Sequence, residues 1–555
     1  MSRSYLGSMT FSTAAALAVI VGGCGHDATD PLSVARVDIS PAQDTVVVGD
    51  AHQLTAGVYD GSGAALTGRS VTWQSSDDAV ATVSGTGVVT GIMPGAVTIT
   101  ATSEGRSGTA AVTVVPVPVA SVEVSPDAMS IMVGETGQFA ATTKAADGSV
   151  LAGRDVAWTS SDTTVATVDS TGLVRALAAG TTLIAATAEG RSASATLTVL
   201  PFSWANVALG NAHTCARSSN GDAYCWGNGA YGQIGNGSTE DRSTPVAVTG
   251  TQTGYSIATG DNHTCTMNGA HVASCWGYGV SGQLGGGSQP TVQDTPVSVV
   301  GGHLWALIDA GGNHTCGVTT DGDAYCWGEN QYGQLGSGDT ISRSVPVLVA
   351  GGHTWDMVLS GTLHSCGLTT DHQAYCWGFN EDGQLGDSTA VNSSTPVAVH
   401  GGQTWTQIST GNLHTCGVSM NGYAYCWGWG FDGQLGDGTS GVGAMRLTPT
   451  VVSGGHSWTN MIAADSYTCG VTSDGNAYCW GSNTSGQLGD GSTTDHSVPT
   501  ALAGGLNWYV VVGGGAHTCG LTTAYEIYCW GANDRGQLGD GTTGDHLTPV
   551  KVATP

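Results

Sequence analysis

Residues 316–336 read CGVTTDGDAYCWGENQYGQLG, and close copies of this stretch occur seven times between Phe202 and Pro555. The Cys-Trp pair recurs at Cys225, Cys275, Cys326, Cys376, Cys426, Cys479 and Cys529, in steps of 50, 51, 50, 50, 53 and 50 residues. A period of that length with strand-like composition inside each unit is the signature of a propeller or solenoid. Within a unit the order is fixed. A Trp-containing strand comes first, then a strand beginning His-Thr-Cys, a turn near Asp-Gly, the strand Ala-Tyr-Cys-Trp-Gly, a long loop opened by Gly-Gln-Leu-Gly, and a strand containing Thr-Pro-Val. Proline in that last strand places it at a sheet edge, where no ladder N–H is needed. Four strands per unit and seven units predict a seven-bladed β-propeller over residues 202–555.

Fourteen of the fifteen cysteines lie in the repeats, as pairs ten residues apart: Cys215/Cys225, Cys265/Cys275, Cys316/Cys326, Cys366/Cys376, Cys416/Cys426, Cys469/Cys479 and Cys519/Cys529. Each pair flanks a turn, so its members face one another across an antiparallel hairpin, within disulfide reach. Seven disulfides are expected. The alternatives are free thiols packed as small core residues, or zinc, for which Cys-x9-Cys supplies two ligands where a structural site needs four. Regular pairing belongs to an oxidising compartment.

The remaining cysteine, Cys24, follows Arg3 and an apolar run over 9–21. Val-Gly-Gly-Cys at 21–24 resembles the lipobox of bacterial lipoproteins. The resemblance implies a signal peptide over 1–23, lipidation of Cys24, a tether over 24–33, and a place at the bacterial outer membrane or cell surface. The alternative is an ordinary signal peptide and a secreted or periplasmic protein.

Upstream of the repeats lies a duplication with an offset of 85 residues. Ser40-Pro41 recurs as Ser125-Pro126, Trp73 as Trp158, and Gly105-Arg106-Ser107 as Gly190-Arg191-Ser192. Runs such as VTITAT and LIAATA alternate apolar with small or polar residues, as half-buried strands do. About seven such strands per copy predict two small sandwiches, over 34–116 and 117–200. The pattern W-x-S-S-D, V-A-T-V, G-x-V resembles the bacterial immunoglobulin-like group 2 domain, which commonly builds stalks in surface adhesins. The fold class is therefore all-β: a seven-bladed propeller plus two tandem immunoglobulin-like β-sandwiches.

The propeller units resemble the regulator of chromosome condensation repeat, with its W-G-x-N-x-x-G-Q-L-G core. Copies at Trp327, Trp377, Trp480 and Trp530 keep the Asn; those at Trp226, Trp276 and Trp427 lack it. The founding member of that family is a nucleotide-exchange factor that also binds chromatin. The family also includes secreted bacterial propellers that act by binding another protein, one of them a β-lactamase inhibitor. An exported protein fits the second precedent. Net charge is −28 and no basic run exists, so a nucleic-acid partner is not expected.

Six units carry a histidine two residues before the first cysteine: His213, His263, His314, His364, His414 and His517, with Tyr467 in the remaining unit. A residue repeated in every blade reads as structural hydrogen bonding, with a metal-binding ring as the alternative. The Asp-Gly pairs at 437–438, 490–491 and 540–541 read as turns, with calcium the alternative. No Gly-x-Ser-x-Gly, His-Glu-x-x-His or phosphate loop occurs, so neither catalysis nor a cofactor is expected. A hydrolase or lyase using the central channel is the contrary reading.

Binding residues should sit where the repeats disagree. Between Trp-Gly and Gly-Gln the units vary, and Tyr231, Tyr278, Tyr332, Phe379, Trp429, Phe431 and Arg535 fall there. Aromatic and Arg side chains are typical interface anchors. The expectation is a non-enzymatic, monomeric binding or adhesion protein recognising a protein or glycan. Inhibition of a secreted enzyme is second; nucleotide exchange by family analogy is less favoured.

Overall fold

The computed structural model describes residues 33–250 and 254–555; Cys24 and the lipobox lie outside them. Every regular element described is a β-strand, and no helix among the described residues is long and apolar enough to cross a membrane.

The two N-terminal modules each contain nine strands, over Arg36–Val115 and Ser121–Leu200, rather than about seven. In the first, Gln43–Val47 runs parallel to Arg106–Val115, which pairs with Gly95–Ser103 and then Thr72–Ser75. A three-stranded sheet and the pair Arg36–Ser40 with Thr55–Tyr59 complete the module, and the second module repeats the arrangement. The extra strands are three-residue pieces such as Ala51–Gln53 and Ala81–Val83, too short to display alternation in a sequence. The core of the first module is wholly aliphatic at its centre, with Val46, Leu54, Val89 and Ile99 fully buried. Trp73 packs against its edge, half-buried.

The propeller consists of seven four-stranded antiparallel sheets, each built from one continuous segment. Blade 4 shows the pattern: Trp355–Ser360 innermost, then His364–Thr369, Ala374–Gly378 and, at the outer edge, Ser393–Ala398. The proline-bearing strand is the outer edge in every blade. The third strand bulges at its tryptophan before pairing with the fourth, and the glycine after it, Gly378 in this blade, has φ +108°. A Cβ there would lie 2.7 Å from both the His364 Cα and the Leu363 carbonyl, so only glycine fits.

A single blade has little core of its own. Its apolar residues are shared with the next: Cys416, Val418 and Leu435 of blade 5 pack against Met461 and Trp480 of blade 6. Blades 7 and 1 are joined in the same manner, through Leu521, Ile527 and Leu538 against Trp204 and Trp226. The wheel therefore closes by packing one complete blade on another, with no strand borrowed across the seam.

Candidate functional site

The fourteen repeat cysteines are fully buried, and each pair stands directly opposite in the hairpin register, Cα atoms 4.0–4.1 Å apart. All seven are disulfides.

The six histidines are fully buried and reach into the following blade. His364 Nε2 lies 2.8 Å from Thr415 Oγ1, and Thr415 donates to the backbone carbonyl of Gln384 at 2.8 Å. Because the threonine proton is spent on that carbonyl, the histidine is the donor at Nε2. The same carbonyl accepts Trp427 Nε1–H at 3.0 Å. One His, one Thr, one Trp and one Gln carbonyl thus form a clasp between blades 4 and 5. Ser365 replaces the threonine between blades 3 and 4. At the seam, His517 meets Thr214 at 2.9 Å, and Thr214 and Trp226 donate to Gln537. Between blades 6 and 7, Tyr467 stands in for histidine: its hydroxyl lies 2.9 Å from Thr518 Oγ1 and donates to the His517 carbonyl at 2.6 Å. Burial pulls each imidazole down to about 3, so all six are neutral at ordinary pH. No group of three or more His, Cys, Asp or Glu side chains suited to a metal occurs among the described residues.

The Gln-Leu-Gly loops have internal work as well. Gln384 Oε1 accepts Asp382 N–H, and the fully buried Asn380 amide reaches the loop oxygens of Thr389 and Val391. The aspartates considered for calcium are held otherwise: Asp437 pairs with Arg446 at 2.7 Å, Asp490 with His496 at 2.9 Å and Asp540 with His546 at 3.0 Å.

Strands 1 and 3 of a blade run in the same direction, so the turn after strand 1 and the long loop after strand 3 share one face of the disc. The seven residues singled out in those loops behave differently from one another. Tyr231 packs edge-on against Tyr278, and Tyr332 against Phe379, each pair bridging two blades with centroids 5.0 Å apart. Trp429 and Phe431 stack within blade 5. Phe431 and Tyr231 remain exposed, whereas Tyr278, Tyr332, Phe379 and Trp429 are half-buried. Arg535 is not a free anchor: it ties blade 7 to blade 1 through Asp241 at 3.2 Å. Sequence reading missed the outermost loop tips. Val292, Ile341, Val391 and Val442, on blades 2 to 5, are 41, 61, 69 and 98 % exposed. Their signal was available, since the corresponding stretches of blades 1, 6 and 7 carry Glu240-Asp241, Thr494-Asp495 and Gly544-Asp545.

The innermost strands enclose a central channel of about 670 Å³. Its mouth is drawn together by seven backbone hydrogen bonds of 3.1–3.4 Å from blade to blade, running from Asn211 N–H to the Asp261 carbonyl round to Gly515 N–H and the Gly210 carbonyl. Asp261, Asp309 and Asp465 are the only charged side chains lining it among the described residues. Asp309 stands opposite Cys316, a position filled elsewhere by Ala208, Ala258, Leu359, Ser409, Ile462 and Val512. Burial pushes Asp309 up to about 7, against the opposing effect of the Ser360 N–H it accepts at 2.7 Å. Burial, with the Asp465 charge nearby, pushes Asp261 up to about 6.

Seven four-stranded blades in a closed ring, with a Gly-Gln-Leu-Gly loop clasping each neighbour, define an RCC1-type propeller. The chain belongs to the RCC1-like domain family, whose profile matches residues 159–466, and the Regulator of chromosome condensation (RCC1) repeat matches 474–521 and 526–555. It also contains two bacterial Ig-like domains (group 2), at 33–114 and 118–199. It is 43 % identical over 170 residues to Ice-binding protein 1 of Shewanella frigidimarina (strain NCIMB 400), 30 % of this chain and 19 % of that protein. It is 34 % identical over 144 residues to the Ultraviolet-B receptor UVR8 of Arabidopsis thaliana, 25 % of this chain and 33 % of that one. The chain thus spans between a fifth and a third of these curated relatives. Yeast RCC1 (Prp20) superposes with a TM-score of 0.55 at 19 % identity, over 60 % of this chain and 84 % of that chain. That likeness concerns the fold alone. Bacterial Ig-like modules and seven disulfides mark the protein as extracytoplasmic.

Proposed function

We propose that this protein is a non-enzymatic binding protein of the bacterial exterior, presenting the loop face of its propeller to a protein partner, and that Cys24 carries a lipid anchor. The observation that supports it is a division of labour among the repeats. The polar groups common to the blades are occupied in clasping neighbours, while the exposed apolar groups that differ between blades gather on the loop tips of blades 2 to 5. Exposed apolar side chains on four successive blades offer a partner apolar area to bury. A disc held by seven clasps and seven disulfides is preorganised, which reduces the ordering cost of association. Ice binding, which appears in the name of the Shewanella relative, forms no part of the reading, because the match spans 19 % of that protein.

The test is capture of envelope and secreted proteins by the full-length chain. Trp429→Ala with Phe431→Ala should remove a partner retained by Tyr509→Ala, which alters an exposed residue at the other end of the innermost strand. Equal capture by both variants sinks the proposal. Metabolic acyl labelling that persists in Cys24→Ser would sink the anchor.

A further inference from the structure

The reading of the loop face leaves the channel behind its centre unexplained. That channel combines two chemistries. Its wall mixes polar backbone and hydroxyl groups with aliphatic side chains, Val207, Leu307, Leu359, Ile462 and Val512 among them. Set into this wall is one carboxyl group, Asp309, with Asp261 and Asp465 nearer the mouth. Next to Asp309, the Ser360 hydroxyl is buried with no hydrogen-bond partner, on a residue 7 % exposed that also lines the channel. An unpaired buried hydroxyl is costly in a folded protein, and so is a half-buried carboxylate that accepts backbone N–H groups but faces no cation. A ligand able to donate to both would remove that cost.

We propose that the channel is a socket for one lysine or arginine side chain projected by a protein partner docked on the loop face. This rests on the binding role above and specifies the partner's chemistry. Lysine and arginine place a charged head at the end of an apolar stem, and lay that stem along apolar surface. The wall takes the stem; Asp309, helped by the Ser360 hydroxyl, takes the head; Asp261 and Asp465 draw the charge toward the mouth. A bare metal ion fits less well, because the three carboxylates do not converge with other donors into a ligand set among the described residues. Among the described residues no Lys or Arg lines the channel, and the arginines of the long loops and outer-strand ends, Arg242, Arg343, Arg446 and Arg535, are each tied to a carboxylate. Burial that keeps Asp309 near 7 and Asp261 near 6 is the state expected of carboxyl groups awaiting a countercharge.

The test uses the full-length protein and an acetylated, amidated tetra-arginine peptide, with its tetra-citrulline counterpart and calcium chloride as separate arms, read by titration calorimetry at pH 7.5. The expected result is one peptide bound per chain, no citrulline binding, and at least a tenfold loss of affinity in Asp309→Asn. That variant retains an acceptor for the Ser360 N–H, and should it not fold, Asp465→Asn at the mouth is expected to lose threefold or more. Undiminished peptide binding in these variants overturns the socket, as does stoichiometric calcium binding that displaces the peptide, or no peptide binding at all. The surface reading fails separately. If Trp429→Ala with Phe431→Ala abolishes partner capture while the peptide does not bind, the loop face stands and the socket falls.

Discussion

The sandwiches and the propeller are both antiparallel β-structure with alternating apolar residues, yet they solve the core problem differently. Each sandwich closes two faces around its own apolar centre, aliphatic in the first and including the fully buried Phe139 in the second, and contains no cysteine. A propeller blade has no second face of its own, so it shares its core with a neighbour and carries both an internal disulfide and an external clasp. The sandwich is a unit; the blade is a unit only within the ring. Perturbations that leave a sandwich indifferent should therefore act on the propeller as a whole.

Reduction should give the largest separation. Each disulfide closes a ring of about eleven residues and is worth on the order of 2–3 kcal/mol by chain entropy. Removing all seven sums to roughly 15–20 kcal/mol in that treatment. Denaturation followed by tryptophan fluorescence should show the propeller transition collapse under dithiothreitol in mild urea, with the sandwich transition unmoved. A propeller equally stable with fourteen free thiols would break the comparison.

Acid is next, and its sign follows from the buried groups. The six clasp histidines have folded values of about 3 against 6.5 when unfolded. The unfolded chain therefore takes up protons first as pH falls below 6.5, and stability is lost through the window from 6.5 to 3. Each contributes about 1.4 kcal/mol per pH unit. Asp309 and Asp261 act in the opposite sense. Their folded values of about 7 and 6 lie above the unfolded 3.8, so acid favours the fold at those two sites between these limits. The six imidazoles outnumber the propeller carboxyls raised by burial, Asp261, Asp309, Asp382 and Asp432, so the net effect of acid between about pH 6 and 4 is a loss of stability. The sandwiches hold no such histidine. Their Asp60, Asp147, Asp162 and Asp169 are held below the ordinary carboxylate range by neighbouring hydroxyls and backbone N–H groups, so they weaken only beneath about pH 4. Denaturant midpoints against pH should fall steeply for the propeller and stay flat for the sandwiches over that interval.

How much of this the sequence disclosed depended on whether an interaction repeats locally or crosses between units. The disulfide hairpin lies within eleven residues and was readable from Cys316 and Cys326. The strand order was readable too, because proline marks the outer edge. The clasp was half visible: His364 and Thr415 both recur, but their meeting depends on how two sheets stack, and the third member is a backbone carbonyl, which has no letter. How the ring closes was open for the same reason. Asp309 went unnoticed because it is a single departure inside an apolar strand, visible only when seven equivalent positions are compared. In the sandwiches, three-residue strands are too brief for any period to appear.

The finest test asks whether the seam is an ordinary joint. Thr415→Val removes the acceptor for His364 inside the ring, and Thr214→Val does the same for His517 at the seam. Each leaves a buried imidazole N–H without a partner, while the Gln carbonyl keeps its tryptophan. A buried donor left unpaired costs about 1–3 kcal/mol. If blades 7 and 1 meet as any other two blades do, the two variants should lose the same stability to within about 0.5 kcal/mol. A propeller whose seam opens first would lose far less at Thr214, since solvent would reach the freed imidazole before global unfolding. Hydrogen exchange at Trp226 and Trp427 indole N–H groups reads the difference directly: equal protection means a ring without a weak point, and faster exchange at Trp226 means a wheel with a latch.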